Sequence, residues 1–294
     1  MTQRLRTILL PVAMVVGALF SDFFQTLAFL TPYLIFVMLF ITYCKLSVHD
    51  LKFSRLHLWL LFFQLGISWG VYGLLSWWDP IVAEGCMICV LAPTATAAAV
   101  ITGMLGGNVA SIATYTLISS LAVALVSPLV FALLGGNLEM EFADSMWYIC
   151  KQVIPLLVFP CLLAFGLAKF VPKVHLQLKK LQVLSFYIWI FALTLVTGKT
   201  VYFILHQENP DLTKEGWMAV LAFFICLFQF GVGRYLGDRQ GDAVTGGQSL
   251  GQKNTILAIW MAQVYLNPLS SIAPAAYVLW QNLMNSWQLW RKNR

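Results

Sequence analysis

The stretches APTATAAAVITGMLGGN (residues 92–108) and TGGQSLGQKNTILA (residues 245–258) decide how this chain is read. Each lies inside an apolar segment long enough to cross a bilayer, and each interrupts that segment with helix-unfriendly residues. Pro93 breaks the first, and Gly246, Gly247 and Gly251 break the second. The second also carries a lysine, Lys253, in mid-span. Interrupted spans at matching places in two halves of a sequence are the best sequence-level pointer to a secondary transporter's binding site.

The composition around them is that of a membrane protein. Hydrophobic residues make up 60% of the 294 and charged residues only 10%, against about 45–50% and about 25% in soluble domains. Recurrent apolar runs of about 20 residues are helices crossing lipid. The net charge of +6 comes from topology, and no basic patch resembles a nucleic-acid surface. The six cysteines, Cys86 and Cys89 of a CxxC among them, fall almost entirely in apolar runs and read as small core residues. The four histidines are scattered, so neither a metal cluster nor a cofactor motif appears. The run after Arg4 and Arg6 lacks a convincing cleavage site and reads as a retained first helix.

Ten spans follow, near residues 7–20, 26–45, 56–78, 81–106, 109–134, 146–171, 181–205, 216–236, 243–266 and 268–290. With the amino terminus inside, the inner segments hold 14 of the 18 Lys and Arg residues. The outer loops hold Asp22, Asp79, Glu139, Glu141, Asp144, Glu208, Asp211 and Glu215, with Lys214 as their one clear base. That asymmetry places both termini in the cytoplasm. The expected fold is all-α: ten transmembrane helices in two inverted five-helix repeats, 1–136 and 137–294, forming one membrane domain. Helices 4 and 9 are broken and cross.

Unwound backbone survives in lipid only inside protein or beside a cavity. Two crossing breaks gather four half-helix ends, whose amino ends favour anions and carboxyl ends cations. Thr94 and Thr96, with the alanines around them, allow close backbone approach. A charge at the bilayer centre costs about 2.5–3.5 kcal/mol on insertion scales, and no acidic residue lies at the depth of Lys253. Its ammonium can be held by free carbonyls as a substitute cation, give up its proton because burial disfavours the charged form, or meet an anionic solute. Gln248, Ser249, Gln252, Asn254 and Thr255 surround it. On the last span Asn282 and Asn285, three apart, share a face.

At these segments the chain resembles the bile acid:sodium symporter family. In the first, Pro93, Val100, Leu105, Gly107, Asn108, Val109 and Thr116 carry the likeness. Gly251, Asn254, Leu257 and Ala258 carry it in the second, and Trp280 and Asn282 near the chain's end. The resemblance implies ten spans, inverted repeats and crossed unwound helices. It also implies that oxygens used for sodium in the family are missing here: a Ser-Asn pair becomes Ala98 and Ala99, a serine becomes Ile112, a shared carboxylate becomes Ser249, and a glutamine becomes Lys253. Thr116 is the clearest surviving ligand.

The expected function is therefore alternating-access transport of a small organic anion across a bacterial inner membrane, with Lys253 replacing a coupling cation or titrating. The expected site is Lys253, Asn254, Gln252, Ser249, Gln248, Thr94, Thr96, Thr116 and Asn282, with a proton or sodium as possible coupling ion. Two other readings stay open. One is a sodium symporter of the same fold using backbone carbonyls and Gln252; the other is an intramembrane receptor or enzyme. An enzyme should carry a nucleophile–base pair or metal ligands within the spans, and none is visible.

Overall fold

The computed structural model describes residues 3–45, 51–95, 97–134, 142–206 and 211–292, with all their side chains except those of residues 3–8, 10, 11, 182, 183, 185 and 186. Among these residues the chain is helical, without a strand longer than one bridged pair. In order the helices are α1 (Gln3–Leu19), α2 (Ser21–Thr26), α3 (Thr31–Tyr43), α4 (Arg55–Leu75), α5 (Pro80–Leu91), α6 (Ala98–Leu105) and α7 (Val109–Leu134). There follow α8 (Phe142–Phe170), α9 (Pro172–Leu178), α10 (Gln182–Leu205), α11 (Leu212–Asp238), α12 (Ala243–Gly251), α13 (Thr255–Tyr265) and α14 (Ile272–Lys292).

Five helices are long and apolar enough to cross a bilayer on their own: α4, α7, α8, the Tyr187–Leu205 part of α10, and α11. The expected spans 26–45, 81–106 and 243–266 are assembled from shorter pieces, a 3-10 turn at Ala28–Leu30 with α3, α5 with α6, and α12 with α13. Although α14 is 21 residues long, its buried side carries Gln281, Asn285 and Gln288. These amides offset its apolar residues.

The helices form two compact units, Met1–Val48 with Ala124–Pro210, and His49–Val123 with Asp211–Arg294. In the first unit α10 packs on α1, α2 and α3, and α8 packs on α3. Gly17 is what lets α1 approach α10, since a Cβ there would strike the Thr194 carbonyl. Lys151 lies 4.9 Å from the Trp147 ring, and the half-buried Lys199 lies 5.8 Å from the Phe203 ring.

The second unit holds both interrupted segments. Its apolar core includes Leu56, Leu60, Tyr115, Leu236 and Leu250. Helices α11 and α12 make its closest contact. A Cβ on Gly233 would strike the Gly246 carbonyl, one on Gly246 the Gly233 carbonyl, and one on Gly251 the Phe230 ring. This corrects the sequence expectation for the second break. Gly246, Gly247 and Gly251 do not interrupt α12; they lie within it and let it sit against α11. The chain leaves the helix only after Gly251.

Residues outside the expected spans also find partners in this unit. Asp79 caps α5, its Oδ1 accepting from the amides of Ile81 at 2.9 Å and Val82 at 3.1 Å, with Pro80 in the first turn. Its Oδ2 meets Lys214 Nζ at 2.7 Å, so the lone outer base of the sequence is paired. Burial pushes the Asp79 carboxyl up, but the Lys214 hydrogen bond and the two amides outweigh it and hold the group below its usual value. A depressed carboxylate stabilises the fold above the unfolded pKa of about 3.9 and loses that stabilisation as pH falls through the folded value. Asp79→Ala is therefore expected to cost about 1–2 kcal/mol at neutral pH. Thermal unfolding in detergent should show the gap to wild type closing as the pH drops below about 4.

Candidate functional site

Helix α5 ends where Pro93 dictates. A residue before proline is pushed out of the helical region, and Ala92 adopts φ −49°, ψ 139°. Thr94 then lies in a bridged, extended pair, and the next helix begins at Ala98. In the second segment Gln252 is extended at φ −100°, ψ 102°. Asn254 restarts the chain as the cap of α13, its Oδ1 accepting from Leu257 N at 3.3 Å.

The two unwound stretches lie antiparallel, with Thr94 paired to Lys253. Ala95 N donates to Gln252 O at 2.8 Å and Asn254 N to Pro93 O at 2.8 Å. The side chains at the centre reciprocate. Thr94 Oγ1 donates to Ser249 O at 2.7 Å, and Lys253 Nζ donates to Val90 O at 2.8 Å. Thr94 and Lys253 are 159 residues apart, as are Pro93 and Gln252, Ala95 and Asn254, and Val90 and Ser249. Each break thus caps the helix that the other one ends.

The capping is complete on the α5 side. A helix leaves its last carbonyls without internal partners, and here side chains supply them. Cys89 O accepts from Gln229 Nε2 at 3.2 Å and Val90 O from Lys253. Gln64 Nε2 serves both Leu91 O at 2.8 Å and Ala92 O at 3.0 Å. Across from them Tyr277 Oη donates to Gly251 O at 2.9 Å while accepting from Gln229. The amides of the central pair are held too: Thr94 N donates to Ser119 Oγ at 3.1 Å and Lys253 N to Gln281 Oε1 at 2.8 Å. The carbonyls of residues 89–93 and the amides of Thr94, Ala95, Lys253 and Asn254 thus find partners inside the protein, as irregular backbone at membrane depth requires.

Lys253 is 1% exposed, and among the described residues no ion pair includes it. Its Nζ sits at the carboxyl end of α5, where the helix dipole favours a cation. The ammonium has three donors, and the Val90 carbonyl takes one.

The expected site residues divide around this centre. Thr94, Ser249, Gln252, Lys253 and Asn254 lie at the paired breaks. Gln248 is buried one turn back on α12, its Nε2 donating to Asn285 Oδ1 at 3.2 Å and Gln288 Oε1 at 3.1 Å. Thr116 is buried on α7, with its hydroxyl on the Ile112 carbonyl at 2.9 Å and its own carbonyl bonded by Ser119 and Ser120. Asn282 stands apart: half-buried, its Nδ2 folds back onto the Val278 carbonyl at 2.6 Å. Asn282 and Asn285 therefore do not act as one pair, because the buried stripe of α14 runs through Gln281, Asn285 and Gln288. Thr96 lies outside the described residues. Sequence reasoning missed Gln64, Gln229, Tyr115, Tyr277, Ser119 and Gln281. The spacing of Gln281, Asn285 and Gln288, which repeats every three to four residues, was a usable signal for the last helix.

Apolar helices packed around a pair of capped, unwound crossings define an integral membrane transport protein. The model of the Sodium Bile acid symporter family matches residues 32–207, which is more than half of the 294-residue chain, and the chain belongs to that family. The match takes in the first break and ends before α11 and the segment carrying Lys253. No curated protein matches the chain.

Proposed function

We propose that this protein carries a small organic anion across a bacterial inner membrane by alternating access, and that Lys253 serves as a built-in cation where relatives use mobile sodium. The observation that carries the reading is the bond from the buried Lys253 ammonium to the last turn of α5, at 2.8 Å from Val90 O. That carbonyl end is where a broken helix attracts a cation. Ala98, Ala99 and Ile112 supply no side-chain oxygen, and sodium is bound by oxygen ligands. The ammonium's remaining donors and the amino ends of α6 and α13 favour an anionic solute.

The constant 159-residue offset between the breaks supports two inverted halves, 1–136 and 137–294. Tyr115 and Tyr277, 162 residues apart, support the same division, each followed four residues later by the side chain that bonds the paired amide, Ser119 and Gln281. With ten spans and the inward bias of Lys and Arg, both termini lie in the cytoplasm.

Sodium symport by the same fold is the second reading. It draws on Gln248 Oε1, Ser249 Oγ and Gln252 Oε1, which are buried without a hydrogen-bond partner.

Counterflow tests the carrier itself. Purified protein in liposomes preloaded with unlabelled carboxylates should concentrate the labelled counterpart of at least one of them, with choline fully replacing sodium. A strict sodium requirement with a Hill slope above one contradicts the coupling claim. Tight binding of an anion that is never exchanged makes the protein a receptor.

A further inference from the structure

We infer that α8 and α9 hold one anionic phospholipid, with its acyl chain along α8 and its phosphate among the lysines that follow. The observation is a shallow, largely open groove of about 350 Å³ on the surface of α8, lined by seven apolar residues between Phe159 and Val171. Gly166 forms part of its floor. Nothing lies within 4 Å of where a Cβ would stand, so the missing side chain leaves a channel between the exposed Leu162 and Phe170. Twelve residues of helix span about 18 Å, the scale of a fatty acyl chain.

Charge selects the headgroup. Lys169 lies at the groove's end, its Nζ 5.5 Å from the Phe170 ring. Lys173, Lys179 and Lys180 follow, all exposed. The sequence from residue 145 to 207 contains no Asp or Glu to neutralise them. Helix α9 is itself suited to the membrane surface, since it exposes Val174 and Leu176 beside Lys173. Lysine clusters directly following a membrane helix attract anionic lipids. The occupant is a phospholipid rather than a free phosphate because the groove and the cluster are continuous.

Native mass spectrometry of the full chain in mild detergent, titrated with phosphatidylglycerol or phosphatidylcholine of identical chains, tests this. Wild type should bind the anionic lipid on the order of tenfold more tightly. The variant K169Q/K173Q should lose most of that preference, and Gly166→Leu should weaken both lipids by filling the groove. A K151Q/K199Q control should change neither. Equal binding of the two lipids overturns the inference, as does a preference that survives K169Q/K173Q or a Gly166→Leu variant that binds like wild type. Circular dichroism of each variant separates these outcomes from misfolding.

Discussion

Lys253→Met is expected to abolish solute exchange while leaving the protein as stable as wild type or more so. Methionine keeps most of the length and volume of the lysine and removes the ammonium. The fold then loses a hydrogen bond at Val90 O, and an unpaired buried carbonyl costs about 1–3 kcal/mol. Against this it escapes burying a charge that is 1% exposed and has no carboxylate partner among the described residues. The effective cost of such burial is several kcal/mol, and replacing buried ionic groups by apolar residues of similar volume is often neutral or stabilising. Desolvation wins, so the melting temperature should hold or rise. If the ammonium contributes to transport about what it costs to insert, 2.5–3.5 kcal/mol, counterflow should fall by roughly two orders of magnitude. A variant that transports normally contradicts the assigned role, and one that simply unfolds makes Lys253 a structural cap.

The second large effect is a gain of sodium sensitivity. Where the family resemblance places a carboxylate and a glutamine, this chain has Ser249 and Lys253. Restoring both in S249E/K253Q returns a negative charge and a neutral oxygen to the carbonyl-rich end of α5. Added sodium should then raise the melting temperature of the double variant saturably, whereas choline should not. A ligand at 100 times its Kd stabilises by about 2.7 kcal/mol. S249E alone should remain insensitive, because the Lys253 ammonium, four residues further along the chain, is there to pair with the new carboxylate. Sodium stabilisation of wild type equal to that of the double variant would contradict the account.

Much of this site was legible in the sequence because its elements are local. Pro93 forces its predecessor out of the helix, and a lysine in the middle of an apolar run has few bland explanations. The exact place of the second break was not legible. Glycines weaken a helix on its own, but Gly246 and Gly251 sit under α11, where tight packing keeps them helical. Their role depends on a contact with Phe230 and Gly233 that local reasoning does not contain. The long-range caps were hidden for the same reason. Gln64 and Gln229 read as isolated polar residues in apolar helices until the fold brings them to the end of α5. Asn282 and Asn285 share a face by their spacing of three, yet the buried stripe of α14 passes through Gln281 and Asn285 and leaves Asn282 half-buried at its edge.

Equilibrium binding of radiolabelled sodium to the purified wild-type protein is the most direct test of the fixed-cation claim. The prediction is no saturable binding at millimolar sodium, with binding appearing in S249E/K253Q. Saturable, stoichiometric binding to the wild type would contradict it.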